Sequence, residues 1–346
     1  MNFDKPDRLP LWDFGYWPET LDRWYGEGLP RDMDLVDYFG LDRIAFAPID
    51  FNFIPAFEPM VIEEDDLTQT IRDETGCTKK VFKYGSAMPH FIDFPIKSRK
   101  DFLELKERLD PDSPERYPQN WASLVESYKS RDYVLGFVCR GLLAFGRDFM
   151  HFNDLMMAFM DEPEWVEEMM DFHTEFMMRL WDRALNEVDV DFIQLGEDMA
   201  YKTGPMISPR LVREMMVPRY KRLIGFLKDR GVKHILVDSD GDIRQLVPLF
   251  IEAGVTGVWP LECNAGCDVV ALRDEYPRLQ MIGGLSKQVI ALGGEAMESE
   301  VRRKVQAVGP TGGYIPGFDH SVHPDVSLDT YISYLDLLRE MGGGLA

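Results

Sequence analysis

Positive charge is scarce in this chain. Lys and Arg number 38 against 60 Asp and Glu, giving a formal net charge of −22 over 346 residues. A field of that sign repels nucleic acid and anionic membrane surfaces. It also makes a polyanionic substrate awkward unless Arg residues cluster locally. Cysteine is scarce too. Cys77, Cys139, Cys263 and Cys267 are too few for a disulfide scaffold, and a reducing cytoplasm is the expected setting. No apolar stretch reaches the roughly 20 residues needed to span a bilayer, and Met1–Pro6 lacks the hydrophobic region of a signal peptide. There is no Walker loop, no Gly-x-Gly-x-x-Gly loop and no Gly-x-Ser-x-Gly elbow. Internal repeats and low-complexity segments are absent.

What is present is a recurrent ending. Short apolar runs stop, one after another, at an acidic or functional residue. Arg43–Ile49 stops at Asp50, Tyr133–Cys139 at Arg140, and Phe192–Gly196 at Glu197-Asp198. His234–Val237 stops at Asp238-Ser239-Asp240-Gly241, Gly257–Leu261 at Glu262, and Gly313–Gly317 at Phe318-Asp319-His320. Fully buried parallel strands read as continuous apolar runs. Polar groups at their C-terminal ends mark the mouth of a TIM barrel.

Eight strands are expected: Leu9–Trp12, Arg43–Ile49, Tyr133–Cys139, Asp191–Gly196, His234–Val237, Val255–Leu261, Leu279–Gly283 and Gly313–Gly317. Helices are expected at Pro163–Val188, Pro209–Arg230, Asp242–Ala253 and Ala296–Val308, with Ser208 as N-cap before Pro209 and Gly as a stop. Strand alternating with helix implies a parallel α/β sheet. The fold class is therefore α/β, a TIM (β/α)8 barrel formed by residues 1–346 as one domain. An insertion between strands 2 and 3, about residues 55–130, is read as an excursion over the mouth. It holds short strands at Pro59–Ile62, Thr68–Arg72 and Thr78–Lys83 and helical segments near Lys100–Leu109 and Asn120–Ser130.

Several residues at the expected mouth are suited to chemistry. Asp238-Ser239-Asp240-Gly241-Asp242 is the densest polar stretch after a strand. It is not a calcium loop, because Ile243 stands where Gly is needed and Leu249 where the bidentate Glu is needed. Asp240 or Asp242 is expected to cap the next helix, which leaves Asp238 for another role. Glu197-Asp198, Glu262 and Asp50 end other strands; converging carboxylates bind a metal, hold a cation, or act as acid and base. His320, one of only six histidines, suits a general acid or a metal ligand, or a structural bond to Asp319. Arg140 suits a carboxylate clamp or a buried ion pair. Phe14, Tyr16 and Trp17 suit an aromatic wall or plain core. Cys263 and Cys267 are too far apart for the commonest zinc pair and read as free thiols.

Nearly the whole chain resembles the uroporphyrinogen decarboxylase superfamily. The resemblance rests on Arg8–Trp12, Asp198–Gly204 before Ser208-Pro209, and Pro218–Lys221. It continues through Val237–Gly241, Gly283–Lys287 and Gly313–Pro324. It implies a TIM barrel with its site at the C-terminal mouth. It also implies either decarboxylation or methyl transfer to corrinoid proteins. The paired Arg residues of the decarboxylases are replaced here by Phe14-Gly15-Tyr16-Trp17, although Asp50 matches their catalytic Asp. The zinc-dependent methyltransferases carry His-x-Cys-Gly after strand 5 and Cys after strand 8. This chain has Asp238-Ser239-Asp240-Gly241 and Phe318-Asp319-His320.

The expectation that follows is a methyltransferase. It would move a methyl group from a methoxylated or methylated small molecule to a corrinoid protein supplied as a partner. Asp238, Glu197, His320 and Asp50 are its candidate catalytic residues. Phe14, Tyr16, Trp17, Arg140, Asp198 and Tyr201 are its candidate substrate contacts. Asp238, Asp240, Glu262 and His320 are candidate ligands for a divalent metal such as zinc. The alternatives are a decarboxylase of a porphyrinogen or smaller carboxylate, and a non-catalytic ligand-binding barrel.

Overall fold

The structure is a computed structural model that describes residues 1–4, 6–85 and 87–343. The chain divides into two compact units.

One unit comprises residues 45–197 and 210–233. The strand β1 (Ile44–Phe46) leads into it. The insertion follows as a four-stranded antiparallel sheet of β2 (Met60–Glu64), β3 (Thr68–Arg72), β4 (Thr78–Phe82) and β5 (His90–Asp93). Three of these strands were legible; β5 is too short and mixed to show a period. Helical segments at Arg99–Leu109 and Trp121–Tyr128 complete the insertion. Then come β6 (Val134–Arg140) and β7 (Phe192–Gly196), parallel and in register from Gly136↔Phe192 to Arg140↔Gly196. β1 lies beside β6, where the Ala47 N–H donates to the Gly136 carbonyl at 3.0 Å.

The helix Pro163–Glu187 matches its expected span. The helix expected at Pro209–Arg230 is interrupted. Val212–Met216 is π-helical before Val217–Asp229 resumes. Pro218 explains this, because it lacks the N–H that an unbroken α-helix would use.

Arg116 ties the insertion to the segment after β1. It is fully buried with no carboxylate bonded to it, and its guanidinium donates to the carbonyls of Arg108, Asp110, Asp50 and Asn52. The Phe176 ring lies 5.0 Å from the guanidinium carbon. A planar fork with five donors fits four carbonyls, and an ammonium group does not. Arg116→Lys should therefore lower stability by about 1–2 kcal/mol, with carbonyls left unpaired. Urea unfolding measures this, and an unchanged midpoint would refute it.

The other unit comprises residues 1–44, 198–209 and 234 to the C-terminus. It carries the small hairpin of β8 (Ala200–Tyr201) and β9 (Gly204–Pro205). Four consecutive parallel strands follow: β10 (His234–Asp238), β11 (Gly257–Trp259), β12 (Gln280–Leu285) and β13 (Tyr314–Phe318). The helices Gly294–Val308 and Leu328–Gly343 pack an apolar cluster with Leu9, Leu11, Trp24, Phe39 and Phe318.

The parallel sheet holds seven strands among the described residues, not eight. Leu9–Trp12 joins no ladder. Pro10 has no N–H to give. Leu11 is instead bonded through its N–H to the Asp42 carboxylate, at 2.8 Å, and through its carbonyl to the Asp42 N–H, at 2.7 Å. The helix after β10 starts at Val247, later than expected. Neither Asp240 nor Asp242 caps it. Asp242 is held by Arg244, which approaches it with backbone N–H and guanidinium at 2.8–3.2 Å.

Candidate functional site

The loops after β10, β11, β12 and β13 are locked to one another by buried polar bonds. Ser239 is fully buried. Its N–H donates to the Trp259 carbonyl at 2.8 Å, and its Oγ accepts the Met199 N–H at 2.8 Å. Gly241 needs to be glycine: its φ is +81°, and a Cβ would lie 2.4 Å from the Ala200 carbonyl oxygen. Its N–H donates to Glu262 Oε2 at 2.9 Å. Asp319, 1% exposed, accepts the Cys263 N–H at 3.1 Å on one oxygen and the Lys287 N–H at 3.0 Å on the other. That single carboxylate fixes the starts of two neighbouring loops.

On this frame stand two acid–base pairs. Lys287 Nζ lies 3.6 Å from Glu262 Oε1. His320 Nε2 lies 3.6 Å from Asp240 Oδ2. The Ser321 N–H donates to His320 Nδ1 at 2.7 Å, which places the proton of the neutral ring on Nε2, facing Asp240. Asp240 raises the His320 pKa above the ordinary histidine value, against the opposing effect of burial.

Aromatic rings form the next layer. Trp12, Phe14 and Trp259 cluster with centroids 4.6–5.1 Å apart, and Phe14 stacks with the His320 ring at 6.2 Å. Trp259 is register partner of Asp238 across β10 and β11. The two side chains therefore leave the same face of the sheet at the same height. Trp12 and Phe14, two residues apart, bring their rings together at 5.1 Å. Asp13 between them points away, accepting a hydrogen bond from Tyr331 at 2.7 Å.

The other residues read from the sequence fall as follows. Tyr16 lies with its ring against Trp24 and its hydroxyl 2.9 Å from that of Tyr331. Trp17 packs on His323. Neither ring joins the Trp12–Phe14–Trp259 cluster. Asp198 adopts a left-handed φ of 43°, with its N–H on the Asp238 carbonyl at 3.3 Å. Tyr201 is 57% exposed on β8.

Glu197, Arg140 and Asp50 belong to the other unit. Glu197 is fully buried and takes the N–H groups of Leu142, Leu143 and Ala144 at 2.7–3.0 Å. It caps the helix Leu142–Phe149 through these bonds. Burial outweighs those three donors and pushes its pKa up to about 7. Arg140 is held by Asp148 at 2.6 Å and Asn52 at 3.1 Å. Asp50 accepts the backbone and side-chain N–H of Asn52 at 2.8 and 2.9 Å.

The expected metal shell does not assemble. Among the described residues no group of three or more His, Cys, Asp and Glu side chains is placed to hold a metal ion. Glu262 is turned to Gly241 and Lys287, while Asp240 and His320 face each other. Zinc asks for about four converging donors, so the residues present do not fit it. Burial raises the thiols of Cys263 to about 12 and Cys267 to about 11.

Sequence reasoning passed over Trp12, Trp259, Lys287 and Asp319 as site residues. The two Trp residues lie in apolar runs and count as core in any hydropathy reading. Asp319 follows β13 directly, and Lys287 follows β12 after Ser286 alone, so the rule that located Asp238 reaches them as well.

Comparison with known proteins gives the fold a family. No curated protein matches the sequence. Among solved structures, a methyltransferase from Methanosarcina mazei superposes with a TM-score of 0.61 at 12% identity, covering 97% of this chain and 94% of that one. A B12-independent methionine synthase from Shewanella sp. W3-18-1 reaches a TM-score of 0.44 at 12% identity, with 98% and 97% covered. The sequence profile described as Uroporphyrinogen decarboxylase (URO-D) matches residues 82–341. With three quarters of its length inside that match, the chain belongs to the URO-D family and has its TIM-barrel fold.

Proposed function

We propose that this protein is a methyltransferase that moves a methyl group from a methoxylated or methylated small molecule to a corrinoid protein. The observation that carries the reading is the ring cluster of Trp12, Phe14 and Trp259 standing beside Asp238, Asp240 and His320 at the strand ends. An apolar wall with a few fixed polar groups suits a small, methyl-bearing ligand. The family includes enzymes, and the fold is shared with the Methanosarcina methyltransferase. Arg140 supports no carboxylate-binding alternative, since Asp148 and Asn52 hold its guanidinium.

Transfer needs a nucleophile, which the reduced corrinoid supplies, and a leaving group that departs with the bonding pair. A neutral ether would need a proton on its oxygen, and in this reading the Nε2–H of His320 gives it. A cationic donor would need none. The test is incubation with a reduced corrinoid protein and a panel of methyl ethers and methylated amines, followed by the absorbance of methyl-cobalamin. The expected result is methylation from at least one donor. A silent panel, with a matched corrinoid protein supplied, would overturn the proposal.

A further inference from the structure

A buried lysine touches a thiol in the unit that carries β10 to β13. Lys304, on the helix Gly294–Val308, is 2% exposed. Burying an ammonium is costly unless its protons find acceptors. Here all three do: Nζ donates to Glu300 Oε1 at 2.5 Å, to the Gly284 carbonyl at 2.7 Å and to Cys263 Sγ at 3.1 Å. A thiol sulfur is a weak acceptor, so the third contact adds little to the lysine's burial. Its effect is to hold an amine nitrogen against a sulfur. Cys263 is also the one cysteine of the four that is not buried. Its thiol side meets a small oxidant from solvent while the amine behind it stays covered.

We propose that Cys263 and Lys304 form a modification site, at which hydrogen peroxide joins Sγ to Nζ in a covalent sulfenamide. The proposal is independent of the methyl-transfer reading. Peroxide first oxidises the thiol to a sulfenic acid: the O–O bond breaks, an S–O bond forms and one water leaves. Lys304 then loses one proton to solvent by way of Glu300, and its nitrogen lone pair attacks the sulfur. The S–O bond breaks, and the departing hydroxide takes a second amine proton as water. Thiol, neutral amine and one peroxide thus give one sulfenamide and two waters. Sulfenic acids condense with nitrogen in this way.

The geometry favours this partner over the second thiol. Cys263 Sγ faces the Gly284 carbonyl at 3.2 Å, whereas Cys267 Sγ faces the Gly241 carbonyl at 3.5 Å. The amine is already in contact, so its effective concentration at the sulfur is high. Burial raises the Cys263 thiol to about 12, so thiolate is the minor form and the first step is slow.

Peptide mapping of the folded full chain after treatment with hydrogen peroxide tests the proposal. Trypsin does not cut after a modified lysine. Residues 245–273, which hold Cys263, should therefore appear joined to residues 304–339, at the sum of the two masses less two hydrogens. Neither piece contains methionine, so sulfoxides elsewhere leave that mass unchanged. Dithiothreitol should release the two pieces. Cys263→Ser and Lys304→Met should each abolish the joined species, as should unfolding in urea before the peroxide is added. The link closes a loop spanning 41 positions, so the linked protein should also unfold at higher urea concentration than the reduced one. Oxygen added to Cys263 with Lys304 still cut by trypsin would overturn the proposal, and so would a Cys263–Cys267 disulfide within 245–273. A joined species that forms equally in urea would overturn it too. So would an unmodified pair under peroxide that oxidises the exposed Met88 and Met157. Mapping of the wild type decides the matter even where a variant fails to fold.

Discussion

Gly141→Ala should cost about 4 kcal/mol or more of folding stability, enough to leave little soluble protein. The reason is a specific collision. A Cβ on Gly141 would lie 2.2 Å from Glu197 Cδ and 2.3 Å from its Oε1. Backbone preference is not at issue, since the φ of Gly141 is −76°. Glu197 has nowhere to retreat. It is fully buried and bonded to three successive N–H groups, and moving it would orphan the first turn of a buried helix. Orphaned buried donors cost about 1–3 kcal/mol each. Chemical unfolding of the variant, or its failure to appear in the soluble fraction, is the readout, and wild-type stability would refute the argument.

The same carboxyl makes a pH prediction. Its folded pKa is raised from 4.5 to about 7 by burial. A raised acid favours the protonated folded state. Its contribution is complete below the unfolded value, near 4.5, and is lost as pH rises through about 7. Glu197→Gln cannot titrate. The stability difference between wild type and Glu197→Gln should therefore shrink by about 3 kcal/mol between pH 4.5 and 7.5. A difference flat across that range would mean the carboxyl is not perturbed.

Glu197 also shows where sequence reading stops. It ends an apolar run, as Asp238 does, and the pattern alone treats the two alike. What separates them is the partner: Glu197 meets backbone N–H groups some 55 positions earlier in the chain, and no local pattern encodes that meeting. The barrel was easier to read, because β7, β10, β12 and β13 are buried on both faces and hydropathy is the only thing such strands need to carry. Leu9–Trp12 carries the same hydropathy yet pairs with no strand, since Pro10 and the Asp42 carboxylate take its backbone elsewhere. The aromatic part of the candidate site was half legible. Phe14 stood out, but its companions proved to be Trp12 and Trp259 rather than Tyr16 and Trp17. Trp12 lies two residues before Phe14 in the sequence; only the fold brings Trp259, 245 positions after Phe14, to the same place.

His320 separates the two ways the site could run. With a cationic donor, the productive ring is neutral, with its Nε2–H toward Asp240 and the Ser321 N–H on Nδ1. Protonation costs the Nδ1 acceptor and puts a positive charge about 6 Å from the Phe14 face. Across that distance two unit charges repel by about 1–3 kcal/mol at effective dielectrics between bulk water and a protein surface. The kcat/KM for a cationic donor should therefore fall about five- to a hundredfold as pH drops through the His320 pKa. Asp240 holds that pKa above the ordinary value, so Asp240→Asn should move the fall to lower pH, and His320→Gln should abolish it. A proton-donating His320 predicts the mirror image: activity lost as pH rises, with Asp240→Asn bringing the loss to lower pH. The slope of one pH–rate profile decides between a cationic donor and an ether.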